Sequence, residues 1–260
     1  MNPSLQLASI HLRVANLARS VEFYAGRLGF APLHSAGNRA ELAVGPGSPA
    51  ILTLTEDRDA PPAPHAAAGL FHAALLLPSR AALGNWLRRA GESGVEFDGF
   101  SDHGVSEALY FSDPDGNGLE FYADRPRDRW PFAANGEVAM ITKPLALQNL
   151  LADAGSAAAA PLAGAHWGHL HLRVTDLDRS EKFYRATLGV ALTQGSYPGA
   201  RFLAADGYHH HLGLNTWGQP RAPRPPEALG LVEATFARAG VTTPQTTHDP
   251  DGIALRLVKL

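Results

Sequence analysis

The sequence predicts an α+β protein built from repeated strand–helix–strand units, and two internal repeats predict it. IHLRVANLARSVEFYAGRLGF (Ile10–Phe30) matches LHLRVTDLDRSEKFYRATLGV (Leu170–Val190) at 11 of 21 positions, 160 residues further on. More faintly, SDPDGNGLEFY (Ser112–Tyr122) matches HDPDGIALRLV (His248–Val258), each a turn followed by an apolar run. Self-similarity at this scale marks a supersecondary unit used more than once.

The first unit covers about residues 7–57 and the third about 166–217. In the third, Leu170, Leu172 and Val174 alternate with His169, His171 and Arg173, the period of a strand with one apolar face. Asp176 or Asp178 then caps a helix whose apolar stripe carries Phe183, Tyr184 and Leu188, and Gly189 ends it. The second unit, about 69–124, opens with GLFHAALLLPSRAALGNWLRRAGESGV (Gly69–Val95), again strand then helix. The fourth, about 227–260, is short: 44 residues separate Gly69 from Asp113, but only 19 separate Gly230 from Asp249. It lacks a strand, most of its helix, or both. The stretch from Pro126 to Ala165, with GSAAAAPLAGA, reads as a connector, and RAPRPP (Arg221–Pro226) as a loop. The expected division is a first domain over 6–125, a connector over 126–165 and a second domain over 166–260.

Composition narrows the function. A hydrophobic share of 45% with 18% charged residues is that of an ordinary globular chain. A net charge of −3 offers no basic field for nucleic acid. No apolar run approaches the roughly 20 residues of a membrane span. The opening MNPSLQLASI lacks the charged and apolar regions of a secretory signal, so a cytoplasmic enzyme is the expectation. Cysteine is absent, so any metal site must use His and carboxylates.

One acid stands out. Glu120 sits between Leu119 and Phe121 directly after the turn Asp113–Gly118. Carboxylates are seldom buried unless paired, so either this strand has a wet face or Glu120 has a cation to bind. Taken singly, each candidate has an ordinary reading. His72 is then a satisfied core residue, Glu120 an ion-pair acid, His169 part of a wet strand, Tyr110 a packed aromatic and the triple His a polar surface run. The DPDG turn is structural under any function. RPRDRW (Arg125–Trp130) reads as a solvated connector.

Paired modules carrying HLRV..L..S..FY...LG and DPDGN..E resemble the vicinal oxygen chelate superfamily, which includes glyoxalase I, extradiol ring-cleaving dioxygenases and antibiotic-resistance proteins. The strings GLFHAALLLP, HGVSEALYFSDPDGNGLEFYADRPRDRW and YHHHLGLNTW resemble its four-module, Bacillus-type catechol 2,3-dioxygenase branch. The resemblance implies four βαβββ modules paired into two curved, open-barrel sheets with flanking helices, the fourth module truncated. It also implies a metal held between two modules by residues of a first and a last strand. Carried over position by position, those residues are His72, Glu120 and His169. Unit one has Ser9 at the ligand position, and unit four has Arg256, which cannot ligate a cation, with Val232 or nothing as its first-strand equivalent. Units two and three are therefore expected to face each other around the metal, with units one and four in a second pairing. The repeated pair His11 and His171 reads as structural.

Two His and one carboxylate with open positions is the donor set of non-haem Fe(II) oxygenases. The implied activity is extradiol cleavage of a small aromatic diol by O2, with Fe(II), or alternatively Mn(II), as cofactor. An acid–base His is expected among His209, His210 and His211. Parity with Leu212 and Leu214 favours His209 and His211, whereas the family pattern favours His210. Tyr110 is expected to hydrogen-bond substrate or O2, His103 and His209 to bind substrate in the pocket and Trp217 to wall it. The alternatives are a glyoxalase-type metal-dependent lyase or isomerase and a non-catalytic binding or resistance protein. No nucleic acid or membrane partner is expected, and a homo-oligomer is one way to cover the apolar edge left by the short fourth unit.

Overall fold

The computed structural model describes residues 3–155, 160–219 and 222–260; Ser156–Ala159 of the small-residue stretch and Arg221 of the Pro-rich loop lie outside the described residues. Unit one runs β1 (Leu5–Val14), α1 (Leu17–Val21), a wider π-helical continuation (Glu22–Leu28), β2 (Ala31–Ala36), β3 (Arg39–Ala43) and β4 (Leu52–Glu56). Unit two runs β5 (Gly69–Leu76), α2 (Arg80–Glu92), β6 (Phe97–Asp102), β7 (Ser106–Ser112) and β8 (Gly118–Asp124). The stretch read as a connector carries structure of its own: a 3-10 turn (Arg127–Arg129), β9 (Lys143–Pro144), which pairs with β6, and α3 (Leu147–Ala152). Leu145 and Leu150 of this stretch are buried in the core. Unit three runs β10 (His166–Arg173), α4 (Leu177–Leu188), β11 (Ala191–Gln194), β12 (Ala200–Ala204) and β13 (Leu212–Asn215). Unit four is β14 (Gly230–Arg238), β15 (Gln245–His248) and β16 (Ala254–Lys259). It has lost both the helix and one strand.

Local chemistry sets the helix ends. Ser79 Oγ accepts the Ala82 N–H at 3.1 Å and starts α2. Of the two candidate caps on α4 it is Asp176 that acts, accepting the Arg179 N–H at 2.9 Å, and Gly189 closes the helix with φ 74°.

The strands form two sheets. One has the order β15-β16-β14-β1-β4-β3-β2 and the other β11-β12-β13-β10-β5-β8-β7-β6-β9. Units one and four thus share a sheet, as do units two and three, and each sheet takes strands from both sides of 126–165. Leu75, Leu119, Phe121, Leu170 and Leu172 turn to a common core. There Trp86 of α2 lies 4.3 Å from the Phe121 ring and donates its indole N–H to the Leu28 carbonyl at 2.9 Å. Burying each such side chain contributes roughly 1.5–3 kcal/mol.

Strict alternation along β10 is broken once, at a bulge between Trp167 and His169. Trp167 pairs with Leu75 and faces the core, its indole donating to the Ile51 carbonyl at 2.7 Å, while His169 pairs with Ala74 and faces the other way. The bulge residue is Gly168, where a Cβ would stand 1.8 Å from the Tyr122 hydroxyl. The bulge puts a core Trp and a site His, two residues apart, on opposite faces.

Candidate metal centre

Strand register builds the site. On the concave face of the second sheet, His169 stands beside Ala74, Ala74 beside Glu120, and Glu120 beside Tyr110. His72 lies two residues before Ala74, opposite His171. Ala74, which is fully buried, leaves the space over which the longer side chains converge. Leu119 and Phe121 turn the other way, into the core.

The donor atoms of His72, Glu120 and His169 all lie within 4.8 Å of one another, and all three residues are buried. His169 Nε2 is 3.1 Å and His72 Nε2 3.0 Å from the same oxygen, Glu120 Oε2. The His72 nitrogen is nevertheless without an aligned hydrogen bond. Two buried imidazole nitrogens and one carboxylate oxygen converging on a single point are a donor set for one divalent ion, so the residues fit such a metal. Burial pushes the Glu120 carboxyl up, but His169 and His72 hold it well below the usual carboxylate range by charge and hydrogen bonding. Burial takes His169 down to about 4, against the pull of Glu120, so its imidazole is neutral and has a lone pair to offer.

Above the triad lies a cavity of about 530 Å³, lined among others by His72, Glu120, His103, Tyr110, His210 and Trp217. His103 and Tyr110 form one unit. The Ile141 carbonyl can only accept, so His103 Nδ1–H donates to it at 2.7 Å, and His103 Nε2 accepts the Tyr110 hydroxyl proton at 2.7 Å. Burial and then the Glu120 charge push the Tyr110 phenol well above its usual range, so it stays protonated.

The triple His lies ahead of β13 rather than within it, so strand parity does not govern it, and its three members part. His210 lines the cavity, its ring 4.0 Å from that of His169. His209 is fully buried behind it, with Nε2 2.9 Å from Asp124 Oδ1 and Nδ1 2.7 Å from His210 Nδ1. His211 turns to a different hollow, which it shares with Tyr208, Arg127 and the N-terminal part of β1, and its Nδ1 accepts the Ala205 N–H at 3.2 Å. Parity places His209 and His211 on the concave face, whereas it is His210 that lines the cavity.

One consistent proton arrangement runs through this group. His209 donates its Nε2–H to Asp124, and its bare Nδ1 accepts the Nδ1–H of His210. The His210 Nε2 is then left with a free lone pair. Burial lowers His210 well below the ordinary His range, with His169 the next influence. Sequence reasoning missed Asp124, since a carboxylate at the end of a strand carries no signal of its own. It also misread RPRDRW as solvated: Trp130 is buried, 5.1 Å from the His209 ring. His171, read as structural, lines the cavity too.

The sequence profile of the Glyoxalase/Bleomycin resistance protein/Dioxygenase superfamily matches residues 6–121 and 166–256. A catechol-2,3-dioxygenase of Bacillus subtilis (strain 168) is 43% identical over 225 residues, which span 85% of this chain and 78% of that protein. Among solved structures, a proposed dioxygenase from Bacillus subtilis subsp. subtilis str. 168 superimposes with a TM-score of 0.64 at 12% identity, covering 100% of this chain and 86% of the other. Glyoxalase I from Zea mays gives 0.59 at 18% identity, covering 98% and 92%. At these identities the two structures speak to fold alone.

Proposed function

Because the chain belongs to the Glyoxalase/Bleomycin resistance protein/Dioxygenase superfamily, we propose that it is a metal-dependent extradiol dioxygenase that opens a catechol-type ring with O2. The observation that carries the reading is the convergence of His72, Glu120 and His169 within 4.8 Å, with His72 and Glu120 lining a cavity large enough for an aromatic ring. These residues would hold the metal, Fe(II) in the first instance and Mn(II) as the alternative. When bound, such an ion would supply Lewis-acid chemistry that lowers the pKa of the diol hydroxyls.

The chain's own residues do the rest. His210 takes a proton from the diol at Nε2 and returns it during ring opening. Asp124 and His209 fix the tautomer that leaves this nitrogen free. Tyr110, held by His103, turns its hydroxyl oxygen to the reacting atoms. Phe71 and Trp217, with ring centroids 5.6 Å apart, form an apolar wall that limits water. His209 acts from behind His210 and His211 faces elsewhere, so neither touches the substrate in this reading.

A glyoxalase-type lyase needs a fourth protein ligand. Among the described residues the group of clustered ligands is limited to His72, Glu120 and His169, which favours the oxygenase. The test is anaerobic purification, loading with Fe(II), and addition of catechol with O2 uptake and ring-opened product followed together. Uptake without ring opening, or neither across several vicinal diols, would overturn the reading.

A further inference from the structure

The same histidine has different partners in the two sheets. In the first sheet His11 Nε2 lies 2.9 Å from Thr55 Oγ1. Its counterpart His171 is 4% exposed, and its Nε2 has no hydrogen-bond partner. Two changes leave it so. The register puts Asn215 where Thr55 stands in the first sheet, and the Asn215 Oδ1 is taken by the Trp217 N–H at 3.1 Å. Gly213, opposite His171, leaves room for the ring: a Cβ there would stand 2.8 Å from it.

Two residues further along the same face is Arg173. Its counterpart Arg13 lies 3.8 Å from Asp57 and donates to the Pro226 carbonyl at 2.6 Å. Arg173 has no such acid. Its Nη2 donates to the Leu70 carbonyl at 3.2 Å, its buried Nε has no partner, and no carboxylate of the described residues lies within ion-pair distance. Burial alone acts on its guanidinium. The side chain lies 6.0 Å from the Phe71 ring and lines the cavity together with His171. Besides Glu120, the cavity lining carries one further acid, Asp98 of β6, and it already accepts the Ser112 hydroxyl at 2.8 Å. A half-buried guanidinium with no counter-ion, beside a buried imidazole nitrogen with no partner, leaves polar groups unmet that an anion would satisfy.

We propose that the cavity selects vicinal diols whose ring carries a short anionic arm, and that Arg173, assisted by His171, binds the arm's carboxylate while the diol end lies over the triad. The proposal rests on the diol reading above and names the substrate class for that site. Arg173 lies about 7 Å beyond His171 along the strand. From His169 of the triad to Arg173 is four residues of the same strand, about 13 Å, a span that a ring with an arm of a few atoms fills better than a carboxylate joined directly to the ring.

The test is equilibrium binding to the Fe(II)-loaded protein without oxygen, which needs no turnover. The probes are 3,4-dihydroxyphenylpropionate, its neutral counterpart 4-ethylcatechol, and phenylpropionate, which has the arm but no diol. Wild type should bind the acid diol at least about tenfold tighter than the neutral one, as one charge-assisted contact would give. This ratio should fall to within about twofold of one in Arg173→Met, and Arg173→Lys should restore part of it. The wild-type ratio should also shrink between low and high salt, which requires no variant to fold. Equal binding of the two diols by wild type, or a preference that survives in Arg173→Met, would overturn the proposal. If neither diol binds but phenylpropionate does so through Arg173, the diol reading fails and the anion site stands. If none of the three binds, both fail.

Discussion

Ser9, Glu233 and Arg256 occupy in one sheet the places that His169, His72 and Glu120 occupy in the other. The correspondence follows from pairing: Ser9 stands beside Thr235 and Thr235 beside Arg256, as His169 stands beside Ala74 and Ala74 beside Glu120. Glu233 faces His11 as His72 faces His171, which corrects the expectation of Val232 or nothing in unit four. Both concave faces enclose hollows of comparable size, about 490 and about 530 Å³. In the first the polar groups answer one another, with Arg39 3.0 Å from Glu41 and His11 2.9 Å from Thr55. In the second His171 Nε2 is left without a partner, and the donors of His72, Glu120 and His169 converge with no cation of the described residues among them. One backbone plan therefore yields a self-satisfied hollow and an open one, and the difference lies in which polar atoms the sequence leaves unmet.

The comparison breaks most directly at Glu120. Glu120→Gln should bring the metal content of Fe(II)-loaded protein to background and abolish O2 uptake, whereas Arg256→Gln should change neither. The converse is sharper: Ser9→His, Glu233→His and Arg256→Glu together should let the protein take up a second divalent ion per chain, read by metal analysis. A chain that still holds one ion would show that register equivalence is not enough.

Effects of intermediate size come from the groups above the triad. His210→Ala should lower kcat by about 10²–10⁴-fold with metal content unchanged, as loss of an acid–base group does. Asp124→Asn should cost less, about tenfold in kcat with little change in KM, because it reaches His210 only through His209.

The smallest effects concern stability. Gly168→Ala drives a methyl into the Tyr122 hydroxyl and should cost about 1–3 kcal/mol in denaturant unfolding. The counterpart in β1 is already Ala8, at the matching bulge. Acid should also act chiefly on the metal-side sheet. His169 sits at about 4 in the folded chain against 6.5 for a free imidazole, so the unfolded chain binds more protons between those values. Stability of the metal-free protein should thus fall as pH drops from 6.5 towards 4, by about 1.4 kcal/mol per pH unit for each such imidazole. His210 and His171 shift in the same direction. Glu120, held low, adds a further loss below the ordinary carboxylate range. A flat denaturant midpoint from pH 7 to 5 would contradict the neutral, buried state of these rings.

Much of this was legible along the chain. The repeat at 160 residues, the cap at Asp176, the stop at Gly189 and the odd acid at Glu120 are local patterns, and local patterns report the period and punctuation of strands and helices. The resemblance added the triad. The run His209–His211 was not legible in the same way, because parity reasoning presumes a strand and these residues precede β13. Asp124, Trp130 and His171 were missed or misread for a related reason, since each acquires its partner or its cavity from a segment far away in the chain.

The sequence by itself determined the units, their order, the shortness of the fourth and which residue types could hold a cation, because these depend on spacing and side-chain chemistry alone. Only the tertiary structure decided the strand registers within each sheet, that one His of three reaches the cavity, and that Arg173 is left without an acid while Arg13 is not. Those outcomes depend on strand register and on bulges such as that at Gly168, and register is a relation between segments that neither segment carries alone.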